Sequence, residues 1–409
     1  MPRRVRIVLL VLTLLAVAAC QPAPSTDSDN ANVNGTSNRW GWFEAGLEWR
    51  GDFADPHVLY SGRTYYAYAK PASGRYLPVL TSTDLTHWRI HHRWTDQRAP
   101  WAGGPDPRTD PRIPAEIRSA PLSAGDTWNL NDALVSTAGW GMHHDQGPWI
   151  KKDYWAPGVI QIGSTWYAYS AVKTSPHSDD PHGIGRFCIT VASAPSPLGP
   201  FRDVSGGGPI VCDADPAGSI DPYPYVDPAT GEHFLLWKAA GRVSAPGVRG
   251  YPSALKAQRI GADGRPVPGS PVVTMLTTNE GSWEGMTIEN PAMATWGGQT
   301  YLFYSGNDWR ATAGGTSNYA TGYAVCPQGP RAGCGRIQGD PLLRSGLPRQ
   351  GPGGASAFVG GDGQLYLAYA YYWHGENRPD RFNAHPRRLG IVRLARDGAG
   401  RFTVAQQIL

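Results

Sequence analysis

The sequence repeats one hydrophobic pattern, in which a short apolar strand, a tight turn and a strand rich in aromatic residues follow one another. Alternating apolar segments of this length bounded by glycine turns predict β-strands. The last three intervals between aromatic strands are roughly 65–70 residues, a period typical of an array or a propeller. The aromatic segments are residues 65–69, 166–170, 233–237, 301–305 and 366–370.

A third apolar strand follows each aromatic one, at residues 77–80, 188–192, 253–257, 322–325 and 390–394. Five four-stranded blades that close on one another would bury the aromatic faces and protect the strand edges. We therefore predict an all-β protein, a five-bladed β-propeller. A solenoid array is the alternative that periodicity leaves open. The first interval is longer, and its excess, about residues 95–153, is expected to lie over one mouth.

Composition supports this prediction. The chain has 51 glycines, 37 prolines, 16 tryptophans and 19 tyrosines, whereas charged residues make up only 17%. Many turns between short aromatic strands give this balance. No stretch keeps a 3.6-residue period over several turns, so long helices are excluded.

The first residues have the features of an export signal. Arg3, Arg4 and Arg6 precede an apolar run over 7–19 that is short for a membrane span. The run ends in Val17-Ala18-Ala19-Cys20, which resembles a bacterial lipobox with Cys20 as the lipidated residue. An ordinary signal peptide with a chance cysteine is the alternative.

We therefore expect a signal peptide over 1–19, a lipidated Cys20 with a flexible polar tether over 20–38, and a catalytic propeller over 39–409. The protein would be exported, as a cell-surface lipoprotein or otherwise as a secreted protein. Its contact with the membrane would be through the lipid anchor.

The net charge of the chain does not indicate a nucleic-acid partner. Removing residues 1–19 takes three arginines and no acid, so the formal charge falls from +4 to +1. A nearly neutral surface does not attract a polyanion or an anionic membrane. We expect a monomer.

Four cysteines remain once Cys20 is set aside, and an even number in an exported protein suggests two disulfides. Proximity in the sequence favours Cys188–Cys212 and Cys326–Cys334. No Cys-x-x-Cys or histidine-rich spacing supports a zinc site.

Acidic residues stand where the innermost strands of three blades begin. Asp55 and Asp221 directly precede a proline, and Glu289 stands one residue short of one. Innermost strands line the axis of a propeller, so these three side chains would converge. Carboxylates that converge repel one another, and such a set suits acid–base work on a glycosidic bond. The alternative for each is an acid that caps a turn. Asp52, Glu280 and Glu284 are competitors outside this position.

At this point the sequence resembles glycoside hydrolase family 43, a family of inverting enzymes with a five-bladed propeller. The likeness runs from about residue 49 to 402. It rests on Ala54-Asp55-Pro56, Tyr154-Trp155-Ala156-Pro157, Ser219-Ile220-Asp221-Pro222 and Ile288-Glu289-Asn290-Pro291, in the family's order. Two subsidiary segments, residues 82–88 and 193–201, also match.

The resemblance implies roles for these residues. Asp55 would be the general base that activates water, and Glu289 the general acid that protonates the leaving oxygen. Asp221 would be the third acid, which tunes the general acid and holds the sugar. Trp155 would offer an aromatic face to the sugar ring.

The sequence departs from the family pattern at two positions. Asn290-Pro291 replaces Gly-Pro, and Gly354 stands where many members carry a histidine that helps to bind water or calcium. We therefore expect no required cofactor, and a structural calcium ion has no support in the sequence.

The sequence as a whole predicts a hydrolase of arabinose- or xylose-containing plant polysaccharides and oligosaccharides. α-L-Arabinofuranosidase is the first choice, followed by β-xylosidase and endo-arabinanase. Fructan-active and sialidase propellers are enzyme alternatives that lack their own motifs here. The alternative of another class is a non-catalytic carbohydrate-binding propeller on the cell surface, which would not need three converging acids.

Overall fold

The computed structural model describes residues 52–71, 75–91, 132–146, 149–175, 185–214, 217–241, 252–310, 316–337, 339–374 and 387–409. The expected signal peptide, Cys20 and the tether lie outside the described residues. Within the described part, no helix is long and apolar enough to cross a bilayer.

Five small sheets form the body of the protein. Each sheet is one blade, and its strands lie side by side in order from the axis to the outer edge. Blade one has β1 (His57–Ser61), β2 (Thr64–Tyr68), β3 (Val79–Ser82) and β4 (Arg89–Ile90). Blade two orders its strands β8-β9-β10-β11-β5 from the axis outward. Their ranges are β5 (Leu134–Ser136), β8 (Tyr154–Ile162), β9 (Thr165–Ser175), β10 (Arg186–Ala194) and β11 (Phe201–Asp203).

The last three blades have four antiparallel strands each. Blade three has β12 (Ser219–Val226), β13 (His233–Ala239), β14 (Ala254–Ile260) and β15 (Val273–Thr277). Blade four has β16 (Ile288–Trp296), β17 (Gln299–Gly306), β18 (Ala320–Val325) and β19 (Gly335–Arg336). Blade five has β20 (Arg349–Val359), β21 (Leu365–Trp373), β22 (Arg388–Arg396) and β23 (Phe402–Gln407).

The innermost strands of the five blades form a closed ring. Strand β1 contacts β8, β8 contacts β12, β12 contacts β16, β16 contacts β20, and β20 contacts β1 again. This cyclic order is that of a five-bladed propeller, so the predicted fold class is confirmed. Among the described residues, a short 3₁₀ helix over Gly329–Arg331 is the single helical turn.

The aromatic strands lie second from the axis and are covered on both faces by neighbouring blades. Tyr68, Tyr169 and Trp237 are almost fully buried, and each polar atom has a partner. The Tyr169 hydroxyl donates to the Gly264 carbonyl at 2.9 Å, and the Trp237 Nε1–H donates to Asp213 Oδ2 at 2.7 Å. Large aromatic side chains can be buried in this way because their single polar atom is satisfied.

The ring is closed by contacts between blades one and five. Blade five consists of residues 349–407 alone, so its junction with blade one relies on side chains and short loop contacts. Phe53, Val58 and Phe358 share one buried cluster across this junction. The Val58 amide donates to Ser356 Oγ at 3.1 Å, which fixes the two inner strands against each other.

The segment between blades one and two is predicted to lie over one mouth, and its residues 95–131 lie outside the described residues. Residues 134–136 form β5, which pairs in parallel with β11 at the outer edge of blade two. Asp132 holds this arrangement, because its carboxylate accepts from the amides of Tyr76, Leu77 and Leu134. Strands β6 (His143–Gln146) and β7 (Trp149–Lys152) form a separate hairpin.

Two disulfides join the cysteine pairs that proximity favours. Cys188 on β10 is bonded to Cys212, 24 residues away, and Cys326 after β18 is bonded to Cys334, eight residues away. The second bond closes the loop that contains the 3₁₀ helix. Both therefore fix loops at blade edges.

Candidate active site

Each inner strand contains a residue in the left-handed backbone region, or in blade one is preceded by one. These residues are Asp55, Ala156, Asp221, Asn290 and Gly354, with φ between 41° and 63°. In blades two to five, the pairing with the next strand skips this point, so the strand bulges there. Backbone strain of this kind costs about 1–3 kcal/mol for each non-glycine residue and clusters at functional sites.

The five left-handed residues line one pocket at the axis, together with the residue that follows each of them. Its empty space, with the open mouth included, is about 250 Å³. His57 and Tyr223 also line it. The repeated bulge therefore brings five distant parts of the sequence to one site.

Asp55 and Asp221 occupy equivalent positions in this ring, whereas Glu289 does not. Glu289 precedes the left-handed residue of its blade by one, as Trp155 does in blade two. Neither Glu289 nor Trp155 is among the residues that line the pocket. The three acids are still close enough to interact, because the charges of Glu289 and Asp55 both act on Asp221.

Asp55 forms a bidentate ion pair with Arg387 from blade five. Arg387 Nη1 and Nη2 donate to Asp55 Oδ1 and Oδ2, each at 3.1 Å. Both side chains are largely buried, so this fork is a strong charge-assisted contact. Asp52 accepts from the Arg387 amide at 2.8 Å and thereby positions the arginine.

Glu289 is bound at both of its carboxylate oxygens. Lys238 Nζ donates to Oε2 at 2.8 Å, and the two side chains are only 8% and 14% exposed. The Tyr319 hydroxyl donates to Oε1 at 2.6 Å and also lies 2.6 Å from Asn290 Oδ1. The carboxyl group is therefore held in one orientation by two different blades.

Asp221 is the most buried of the three acids, at 7% exposure. Burial and the charge of Glu289 raise its pKa to about 8, and Lys238 offsets part of that rise. Its Oδ2 accepts from the Asn290 amide at 3.0 Å. Asp221 therefore keeps a proton near neutral pH.

His57 is a polar residue of the pocket that the sequence did not single out. Its Nε2 lies 2.9 Å from the Val159 carbonyl, and among the described residues its buried Nδ1 has no partner. Burial lowers the pKa of His57 to about 4, against the opposing effect of that carbonyl. The imidazole is therefore neutral, with Nε2–H as donor to Val159.

Trp155 is partly exposed and stacks on Phe187, with ring centroids 3.9 Å apart and planes at 23°. Phe187 therefore covers one face of the indole. A sugar ring would have to use the other face.

The competing acids have other surroundings. Glu284 is 1% exposed and accepts from Arg336 and from the Tyr304 hydroxyl, so it is a buried structural acid of blade four. Glu280 is exposed in the loop before β16. Neither lines the pocket.

Among the described residues, no group of three His, Cys, Asp or Glu side chains converges in the manner of metal ligands. At position 354, a side chain would begin 2.8 Å from Asp55 Oδ1, so only glycine fits beside the carboxylate as it stands.

Sequence reasoning missed the two cations that support the acids. Lys238 is the single charged residue of β13, whose other residues are apolar except for His233. A lone lysine in such a strand could have indicated a buried acidic partner. Arg387 directly precedes β22 in an Arg-Arg pair, a weaker signal. Tyr319 had none, because tyrosines are common throughout the chain.

A five-bladed propeller with three interacting carboxyl groups at its axis defines a class of glycoside hydrolases. The chain belongs to Glycosyl hydrolases family 43, whose sequence profile matches residues 126–398, more than half of the chain. It is therefore a glycoside hydrolase that acts on O-glycosyl bonds of a carbohydrate. Asp55 lies before the matched residues.

Solved structures share the fold. A thermostable family-43 glycoside hydrolase is 24% identical with a TM-score of 0.59, over 88% of this chain and 94% of that one. An endo-1,4-beta-xylanase from Bacteroides thetaiotaomicron is 22% identical with a TM-score of 0.54, over 88% and 97%. An exo-1,5-alpha-L-arabinanase from a bovine ruminal metagenomic library is 18% identical with a TM-score of 0.52, over 89% and 100%. No curated protein sequence matches the chain.

The contact between Gly354 and Asp55 gives the first prediction. Gly354→Ala places a Cβ 2.8 Å from Asp55 Oδ1 and must displace the carboxylate from Arg387. Displacing a catalytic group by about 1 Å lowers kcat/KM on the order of 10²-fold, and we expect that loss here. Steady-state kinetics on any cleaved glycoside would measure it.

Gly363→Ala is the matched control, because Gly363 has a similar φ of 75° and nothing within 4 Å of an added Cβ. That variant should lose roughly 1–2 kcal/mol of stability with kcat/KM unchanged. Equal activity losses in the two variants would contradict the role of the contact.

The raised pKa of Asp221 gives the second prediction. Between the unfolded value of 3.8 and the folded value of about 8, the unfolded chain releases a proton that the folded protein keeps. Rising pH therefore destabilises the wild type by up to about 1.4 kcal/mol per pH unit, and Asp221→Asn escapes this loss. Denaturant unfolding should show the variant gaining relative stability from pH 4 to pH 8.

Asp227→Asn is the control of opposite sign. Burial alone would raise the pKa of Asp227, but hydrogen bonds from Arg331 and its charge lower it overall. This variant should become less stable than wild type as pH rises through 4. A pH-independent difference for Asp221→Asn would refute the assignment of its proton.

Proposed function

We propose that the protein is an exported inverting hydrolase that releases arabinose or xylose units from plant polysaccharides and oligosaccharides. α-L-Arabinofuranosidase activity is the first candidate. The observation that carries the proposal is the separate support of two acids: Asp55 by Arg387, and Glu289 by Lys238 and Tyr319. An inverting reaction needs two carboxyl groups in different roles on opposite sides of the sugar.

In the proposed mechanism Asp55 is the general base. Its bidentate pair with Arg387 favours the ionised form, which can accept a proton from water. As that proton moves to Asp55, the water oxygen forms a bond to the anomeric carbon. The bond from that carbon to the leaving oxygen breaks in the same step, and the configuration inverts.

Glu289 is the proposed general acid, which protonates the leaving oxygen. Asp221 lies within range of its charge and keeps a proton near neutral pH. The two neighbouring carboxyl groups therefore hold one proton between them, and Glu289 delivers it. Trp155, with one face covered by Phe187, would place its open face against a sugar ring.

Three other functions compete with the first candidate. β-Xylosidase and endo-arabinanase activities use the same acids, and the likeness in fold to a xylanase and an arabinanase does not choose between them. A carbohydrate-binding propeller without catalysis is the alternative of another class. Buried acid–cation pairs at the axis favour the enzyme over that alternative.

We also propose that Cys20 anchors the protein to a membrane surface after export, on the support of Arg3, Arg4, Arg6 and the lipobox-like 17–20. Wild type should partition into a detergent phase, and Cys20→Ser should not. Equal partitioning would remove the anchor.

The function is tested by rates on two kinds of substrate. Wild type should cleave a nitrophenyl α-L-arabinofuranoside faster than the β-D-xyloside and release product of inverted configuration, as followed by NMR. Glu289→Gln should lose on the order of 10²–10⁴-fold on an oligosaccharide, because a sugar alcohol leaves only when protonated. On the nitrophenyl glycoside the loss should be much smaller, since nitrophenolate leaves without a proton.

Asp55→Asn should lose both activities about equally, because water must be activated whichever group leaves. Glu280→Gln, an exposed neighbour, is the control and should behave as wild type. If wild type cleaves no glycoside of the panel but binds polysaccharide, the binding-module alternative replaces the enzyme. Retained configuration would defeat the roles of Asp55 and Glu289.

A further inference from the structure

The two oxygens of Glu289 are bound by residues of different blades that have no role in the mechanism above. Lys238 comes from β13 in blade three, and Tyr319 directly precedes β18 in blade four. Their contacts are 2.8 Å to Oε2 and 2.6 Å to Oε1. The carboxyl group is therefore held in one orientation through both of its oxygens.

Tyr319 fixes Oε1 of this carboxyl group. Its hydroxyl is fixed between two consecutive residues, because it lies 2.6 Å from both Glu289 Oε1 and Asn290 Oδ1. Tyr319 is 3% exposed, so a substrate does not displace it easily. Oε2 is bound in turn by Lys238, so each oxygen of the carboxyl group has one fixed donor.

The charged groups around Glu289 act in opposite directions. Lys238 is the cation that contacts it directly, and it favours the ionised carboxylate. Asp221 on β12 repels a second negative charge, and Asp55, the partner of Arg387, also acts on Asp221. Burial also disfavours the ionised form. The lysine is therefore the group whose removal would leave these opposing effects uncompensated.

We propose that Lys238 and Tyr319 are positioning residues for the general acid. Tyr319 fixes Oε1, and the ammonium group of Lys238 beside Oε2 sets the pH above which the acid has lost its proton. This inference rests on the proposed function of Glu289 as the acid. It adds that the alkaline limit of the enzyme is determined by a lysine on the neighbouring blade.

Lys238→Met tests the proposal through the pH profile of kcat/KM on an oligosaccharide. Removing a cation in direct contact with a carboxylate shifts its titration upward by about 1–3 pH units. The alkaline limb should therefore move to higher pH by about that amount. Lys238→Arg keeps the charge and should keep the alkaline limb within a few tenths of a pH unit of wild type.

Lys256→Met is the matched control. Lys256 lies on the adjacent strand β14 and pairs with Asp213, away from the pocket, with the two side chains 24% and 15% exposed. The Lys256→Met variant should lose stability, as Lys238→Met should, but the alkaline limb of its pH profile should not shift. An equal shift in both variants would show a general effect of lost charge and overturn the proposal.

Tyr319→Phe provides a second test that leaves every formal charge in place. The lost hydrogen bond to the ionised carboxylate should move the alkaline limb in the same direction, by less than Lys238→Met does. If Lys238→Met does not fold, this variant decides alone, and an unmoved limb refutes the proposal. An unmoved limb in a folded Lys238→Met, or loss of oligosaccharide cleavage at every pH, would refute it as well.

The outcomes that would contradict the proposed function differ from those that would contradict the positioning role of Lys238 and Tyr319. A wild type without hydrolysis, or a normal leaving-group response in Glu289→Gln, would remove the acid itself. A wild type with an alkaline limb that Lys238 and Tyr319 leave unmoved would remove only their positioning role.

Discussion

The left-handed residue in or just before each inner strand is the constraint on which the site depends. Because the backbone is left-handed at these five residues, one position from each of the five blades faces the axis. Asp, Asn and Gly adopt this conformation most readily among the amino acids. Four of the five positions hold one of these residues, and Ala156 is the exception.

This backbone requirement changes how the acids should be interpreted. Asp55 and Asp221 satisfy the left-handed position by their residue type alone, so their presence there is not by itself evidence of chemistry. Their function is indicated instead by a buried arginine fork on one and a retained proton on the other. Glu289 stands outside the strained position, and no backbone preference accounts for a buried glutamate there. Its place is explained by its contacts with Lys238 and Tyr319.

The charges at the axis balance in a simple way. Three carboxyl groups face two cations, Arg387 and Lys238, and each cation contacts one acid directly. An unpaired buried charge is costly, so the third negative charge is neutralised by a proton that Asp221 and Glu289 hold between them. A site with this balance has a retained proton and little net charge to repel a neutral sugar.

Most of the fold could be predicted because its signals are local. An aromatic strand after a glycine turn identifies each blade wherever it occurs, and the two disulfides join near neighbours. The partners of the acids could not be predicted in this way. Arg387 is 332 residues from Asp55, and Lys238 is 51 residues from Glu289, so only the closed ring brings them together. The parallel addition of β5 to blade two was missed for the same reason.

The axis is polar although position 354 in blade five is a glycine. A side chain at position 354 would collide with Asp55 where Arg387 holds it. The pocket receives the imidazole of His57 from blade one. Its bond to the Val159 carbonyl joins blades one and two, and burial keeps it uncharged. A neutral imidazole adds no charge to the three acids and two cations, so polarity at the axis is kept while Asp221 and Glu289 hold the retained proton between them.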